Sequence, residues 1–288
     1  MDPSTPLGTG APSHIRVTHD GGVGTLTIDR LARFNSLDVQ TARDLRKAGL
    51  QLARDEQVRC LVVRGTGGIF CSGADLKYIR AGGDAKDLGY LTPEARGTQA
   101  GFGAIFKQIL EYLHATISEL RRAPKPVIAA VDGVAAAGGM GLAMCCDLVV
   151  ASERSTFEYA YFKTALCGAE SSTFFLPKLV GLRRAMDLAF LNPRVSAREG
   201  KELGLVSQVF SDTTFDEELT GLARRLAMGP TASYAAAKRL MNEAAGVDRL
   251  DFHLDRELEA LAHSADSQDF AEGLSAFFEK RSPVFGGR

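Results

Sequence analysis

The chain has 288 residues, with 34 Lys plus Arg against 35 Asp plus Glu and a formal net charge of −1. That balance leaves no electrostatic footprint for nucleic acid or an acidic lipid surface, and no run reaches the ~18 apolar residues of a membrane span, so a soluble cytoplasmic protein acting on a small molecule is expected. The length suffices to bury a core without staples, and the five cysteines (Cys60, Cys71, Cys145, Cys146, Cys167) are odd in number and lack zinc-site spacing, which predicts free thiols and no metal site.

In chain order, Met1 to Pro12 is rich in Pro, Gly, Ser and Thr and lacks the basic end and apolar run of a signal peptide, so residues 1–12 read as a flexible tail. Gly24 to Asp29 is β-rich and follows the turn signal Asp20-Gly21-Gly22, which predicts a hairpin begun near Ile15. Asp38 to Arg54 carries apolar residues at helical spacing (Val39, Leu45, Ala48, Leu52), with the polar Ser36 as a usable start. Cys60 to Arg64, Val127 to Val131 and Asp147 to Ala151 are short apolar runs separated by helical patterns, the signature of buried parallel strands. Ala81 to Gln99 is the most loop-like internal segment. After Val209 the strands stop, and helices are expected at 215–227, 231–245, 251–263 and 268–280. The alternation predicts an α/β fold whose site lies on loops leaving strand ends, at the glycine turns 65–73 and 137–141.

Several enzyme signatures fail on inspection. Gly65-Thr66-Gly67-Gly68 follows a strand, but a dinucleotide fingerprint needs glycine where Phe70 stands. No phosphate loop closes on Gly-Lys-Ser/Thr, Ser72 lacks the flanks of a nucleophile elbow, and HExxH is absent. What remains is Phe70-Cys71-Ser72-Gly73-Ala74-Asp75-Leu76 and, separately, Lys125 to Gly133 running into Ala137-Gly138-Gly139-Met140-Gly141. Gly138 to Cys146 is apolar on every side, as a central buried helix should be, and its first turn offers free N–H groups that a substrate oxygen can approach without meeting a Cβ. Glycines of this kind also serve tight packing alone.

These two motifs, in this order and about sixty residues apart, resemble the crotonase (enoyl-CoA hydratase/isomerase) family. The resemblance extends to Arg30–Leu37, to Leu179-Val180-Gly181 with Ser196-Ala197 and Gly204-Leu205-Val206, and to Phe277–Arg281, covering roughly residues 15–285. It implies a spiral of ββα units over 13–210 holding an acyl-CoA site, and a helical oligomerisation region over 211–288 that builds a homotrimer or a dimer of trimers. It also implies no prosthetic group, coenzyme A entering only as part of a thioester substrate. By motif matching, the oxyanion-hole amides fall on Ala74 and Gly138. The coenzyme contacts fall on Ala32, Arg33, Phe34 and Ser72, with Asp75 and Leu76 of the same motif, while Phe277 and Lys280 are assigned to a neighbour's nucleotide. For Lys280 the alternative is an exposed helix-end cation.

The chain departs from the family where the acid/base groups should be. The two glutamates of the hydratases fall on Gly141 and Tyr161, and a third position used by other members falls on Ala169, with Glu170 adjacent. Glu170 then reads either as a buried base or as a cap for a helix begun by Ser171-Ser172. His114 sits on a helical pattern twelve residues before Pro126, the spacing of a catalytic histidine in the family's 4-chlorobenzoyl-CoA dehalogenases. Tyr161 can donate a proton or orient a carboxylate. Tyr159, Tyr161, Phe162, Phe174 and Phe175 suggest an aromatic-lined acyl site. The expectation is an enzyme closer to an isomerase than to a standard hydratase, handling protons through Glu170, Tyr161 or His114. The alternatives are a hydrolase, dehalogenase or decarboxylase on the same scaffold, or a non-catalytic coenzyme A-binding member.

Overall fold

The computed structural model describes residues 13–84, 86, 87 and 101–288. The expected tail at 1–12 and most of the loop at 81–99 fall outside the described residues. The large sheet has six strands in the order β1 (Ile15–Asp20), β2 (Val23–Ile28), β3 (Cys60–Gly65), β5 (Val127–Val131), β7 (Leu148–Ser152) and β10 (Gln208–Phe210). The β1–β2 hairpin is antiparallel and the remaining neighbours are parallel. A second sheet holds four short strands in the order β4 (Ile69–Cys71), β6 (Val134–Ala136), β8 (Thr156–Glu158) and β9 (Val195–Ser196).

The central strands β3, β5 and β7 read as nearly continuous apolar runs because both of their faces are buried. Along β3, Leu61 and Val63 enter the core shared with helices α1 (Val39–Arg54) and α3 (Phe102–Arg122), while Cys60 and Val62 pack against Phe215, Leu219 and Leu222 of α8 (Phe215–Met228). Helix α1 starts where the spacing predicted, but its cap is Asp38, which accepts the Thr41 amide at 2.8 Å. Ser36, the residue suggested by the sequence, lies beyond the turn that a cap must close.

Three times a long strand crosses into the second sheet and then gives way to helical turns. β3 leads to β4 and α2 (Leu76–Arg80), β5 to β6 and α4 (Gly138–Met144), and β7 to β8 and a 3-10 turn at Tyr161–Thr164. This is a spiral of ββα units. Helices α5 (Ser172–Val180), α6 (Leu182–Leu191) and α7 (Ala197–Leu203) follow, and α9 (Thr231–Ala244), α10 (Leu250–Ala265) and α11 (Gln268–Glu279) complete the chain. Two of the C-terminal helices pack into the molecule's body: α8 covers one sheet face, and α10 lies along α3, burying Leu250, Leu254 and Leu261.

Each crossing between sheets needs a sharp turn. At Gly133 φ is +86°, and an added Cβ would lie 1.7 Å from the Gly68 carbonyl oxygen, so the chains leaving β5 and entering β4 touch backbone to backbone. Gly133→Ala is therefore expected to destabilise the fold by about 3 kcal/mol or more, measured by urea unfolding. An unchanged midpoint would mean that this contact relaxes freely.

Candidate active site

The crossings bring the two glycine motifs together. Leu37 donates to the Gly73 carbonyl at 2.8 Å and accepts from Asp75 at 2.9 Å, which holds Ala74 between them in an extended bridge with its own N–H on the far side. A Cβ on Gly73 would stand 3.2 Å from the Gly138 nitrogen, so the Ala74 and Gly138 amides are near neighbours. Ala137, whose N–H donates to the Glu158 carbonyl at 3.0 Å, takes φ +46° and swings the chain into α4. In this first turn the Gly138 N–H has no preceding carbonyl of its own helix to bond.

Helix α4 is buried throughout. A Cβ at Gly139 would meet the Cys71 carbonyl oxygen at 2.1 Å, one at Gly138 the Glu170 carboxyl at 2.9 Å, and one at Gly141 the Glu170 carbonyl oxygen at 2.3 Å. The backbone of Glu170 thus occupies the place a side chain at 141 would need. Glu170 and Ser171 both adopt the left-handed conformation (φ +50° and +63°), which turns the Glu170 side chain toward Gly138.

Glu170 is 3 % exposed, and its Oε2 accepts from the Tyr161 hydroxyl at 2.5 Å. That hydroxyl also lies 2.9 Å from the Ala169 carbonyl. Burial raises the Glu170 carboxyl to a pKa of about 7; the Tyr161 hydrogen bond pulls it down and the nearby Glu257 pushes it further up.

A cavity of about 340 Å³ opens onto these groups. Of the residues named from sequence, Ala32, Arg33, Phe34, Ser72, Ala74, Asp75, Leu76, Gly138, Tyr161, Glu170 and Phe277 line it. Asp75 caps α2 by accepting the Lys77 and Tyr78 amides, and it also accepts from Arg30 at 2.7 Å and from Arg33. Burial pushes its carboxyl up, yet Arg33, the Tyr78 amide and Arg30 outweigh burial and hold it below the ordinary value. Asp75 is thus a fixed anion that orients Arg33 at the cavity wall.

His114 and Lys280 are not among the lining residues. His114 is buried behind Glu257, its Nε2 3.7 Å from the Glu257 carboxylate and without a hydrogen-bond partner. Burial, and next the neighbouring His253, push its pKa down to about 4, so the ring is neutral at pH 7. Lys280 ends α11 in an exposed depression shared with Phe162, Phe190 and Arg281. Phe277, matched to a neighbour's nucleotide, lines this chain's own cavity beside Phe278.

The aromatic expectation needs correction. Of the five residues named, only Tyr161 lines the cavity. Phe174 and Phe175 meet edge to face at 5.1 Å beneath Lys178 and Arg121, and the Tyr159 hydroxyl donates to the Cys167 carbonyl. The apolar lining comes from Phe106, Leu166, Leu261, Phe277 and Phe278, with Lys77 and Lys163 adding cations. Phe106, Leu261 and Phe278 were not read from the sequence as wall residues, because helix-face apolar residues look the same whether they face a core or a cavity.

The result is an α/β site with the buried Glu170 carboxyl beside Gly138 and the neighbouring Ala74 and Gly138 backbones. The chain belongs to the enoyl-CoA hydratase/isomerase family, whose model matches residues 18–288. It is 36 % identical to the 1,2-epoxyphenylacetyl-CoA isomerase of Escherichia coli K12 over 269 residues, covering 93 % of this chain and 96 % of that protein. It is 31 % identical to 4-chlorobenzoyl coenzyme A dehalogenase-2 of an Arthrobacter species, covering 95 % and 94 %. Among solved structures, an enoyl-CoA hydratase from Mycobacterium avium subsp. paratuberculosis K-10 superposes with a TM-score of 0.81 at 30 % identity, covering 95 % of this chain and 98 % of that one.

The raised Glu170 carboxyl has a thermodynamic consequence. Between its unfolded value near 4.5 and its folded value of about 7 the native state binds the extra proton, so stability falls as pH rises through that window and stays lower above it. Glu170→Gln is expected to raise unfolding stability by up to about 3 kcal/mol at pH 8 and to change it little at pH 4. Paired denaturation curves at the two pH values check this. A destabilised variant at pH 8 would show that the carboxylate is not held at a cost.

Proposed function

We propose that the protein is an acyl-CoA enzyme that isomerises a double bond through a thioester enolate. The carrying observation is the buried Glu170 carboxylate beside Gly138, its pKa close to neutrality, in a cavity whose other acidic lining residue, Asp75, is occupied by two arginines. A hydratase divides acid and base work between two carboxylates, whereas one carboxylate suits removal of a proton and its return to a different carbon. The family membership and the acyl-CoA relatives support the substrate class.

In this reading the thioester oxygen accepts hydrogen bonds from the Ala74 and Gly138 amides. Glu170 takes a proton from the α or γ carbon, the C–H electron pair moves into the thioester, and negative charge collects on the oxygen. Such preorganised donors contribute ~2.7–4 kcal/mol each where they have been removed. The electron pair then returns to carbon and Glu170 delivers its proton there, so atoms balance without a co-reactant. Tyr161 fixes the carboxylate's orientation, and Arg33, Lys77 and Lys163 suit the phosphates of coenzyme A. Helix α6 exposes Leu182, Met186 and Phe190 at four-residue intervals, an apolar stripe that supports assembly into a homotrimer or a dimer of trimers.

With a panel of enoyl-CoA substrates, Glu170→Gln is expected to lower kcat/KM by about 10²–10⁴-fold, followed by ultraviolet absorbance with no release of free thiol. Retained turnover would remove Glu170 from the mechanism, and thiol release would move the reaction to hydrolysis. The wild-type kcat/KM should fall below about pH 7 as the base is protonated. Tyr161→Phe removes the bond that lowers the Glu170 pKa, so the acid limb should move to higher pH. An unmoved limb would dissociate the two side chains.

A further inference from the structure

Helix α5 begins directly after the left-handed Glu170-Ser171 pair, and Ser171 makes no side-chain capping bond to it. The cap comes from another part of the chain. Glu257, on α10, is 4 % exposed and accepts the Ser171 amide at 2.8 Å, the Thr173 amide at 3.0 Å and the Thr173 hydroxyl. The role of helix cap, one of the two readings open to Glu170 from sequence, therefore falls to Glu257, 86 residues beyond Ser171. With its carboxylate at the α5 N-terminus, Glu257 satisfies donors that would be orphaned in the interior and complements the helix dipole. One turn along α10, Leu261 forms part of the cavity wall.

We propose that Glu257 is a positioning residue: it clamps the Ser171 and Thr173 amides and thereby holds the Glu170 carboxyl against Gly138. This rests on the reading of Glu170 as the proton-transfer group. Without the clamp, two consecutive non-glycine residues in the unfavourable left-handed region lose two of their backbone-side restraints and keep the Tyr161 bond to Glu170, the Ser171 hydroxyl on the Gly141 carbonyl at 3.4 Å and the Ser172 amide on the Ala169 carbonyl at 2.9 Å. The titratable groups facing Glu257 are His114 from α3, His253 from its own helix, and Tyr159, Cys167 and Glu170 from the segments before α5. Burial and nearby Arg256 and Lys178 disfavour the charged form of His253, and His114 is neutral, so no facing imidazolium screens the Glu257 charge from Glu170.

Two variants test the clamp, with Glu170→Gln assayed alongside. Glu257→Ala should lower kcat on the order of 10²-fold with KM nearly unchanged, because the base is displaced while the thioester-binding amides stay in place. Glu257→Gln keeps size and one acceptor oxygen but removes the charge. It should recover most of kcat and move the acid limb of kcat/KM to lower pH, opposite to Tyr161→Phe. Should Glu257→Ala not fold, Glu257→Gln carries the test through its pH profile. A residue serving stability alone would lower the unfolding midpoint yet leave kcat of the folded enzyme and the acid limb in place; that result overturns the inference. If Glu170→Gln is itself active, the reading of the base fails; if it is inactive while both Glu257 variants behave as wild type, only the clamp fails.

Discussion

The approach of the Glu170 backbone to helix α4 is the contact on which the site depends. It exists because Gly141 has no side chain: even a methyl group there would lie 2.3 Å from the Glu170 carbonyl oxygen. The same absence at Gly138 lets the carboxyl group itself reach the first turn of α4, 2.9 Å from where a Cβ would stand. At position 141, where the sequence resemblance leads one to expect a hydratase glutamate, the space is filled by the Glu170 backbone, and the carboxylate beside Gly138 comes from the neighbouring loop.

The arrangement runs against local stability at several points. Burying Glu170 with a pKa near 7 penalises its ionised form, and Ala137, Glu170 and Ser171 all have positive φ without being glycine. These departures lie at or directly beside one cavity and are held by groups outside their own turns: the Glu158 carbonyl for Ala137, the Tyr161 hydroxyl for the Glu170 carboxyl, and the Glu257 carboxylate for Ser171. Each restraint comes from a different element, so the spiral of strands and the C-terminal helix must both be in place before the site is complete.

Much of the scaffold was legible in the sequence because buried strands and amphipathic helices leave contiguous signals. The strands β2, β3, β5 and β7 and the helices α1 and α8–α11 sit within a few residues of the expected ranges. The second sheet was not legible: its strands have two or three residues each, too short to show an alternation, and they exist only by pairing with one another. The amide-bearing motifs stood out through their glycines, whereas Glu170 was ambiguous because its direction depends on two left-handed residues that no composition rule demands. Phe174 and Phe175 misled for a related reason, since a helical turn decided that they pack under Lys178 and Arg121 and not into the cavity. Glu257 gave no signal, being a polar residue on an amphipathic helix whose partners lie more than eighty residues away.

The proposed chemistry turns on proton removal by Glu170 beside a thioester whose oxygen rests on the Ala74 and Gly138 amides. Incubating the enzyme in D2O with a saturated acyl-CoA, which can lose an α proton but cannot isomerise, and reading the mass of the recovered thioester isolates that step from the rest of turnover. Deuterium is expected at the α carbon with the wild-type enzyme and none above background with Glu170→Gln. Equal incorporation by both proteins, or none by either under conditions where the thioester binds, would overturn Glu170 as the base.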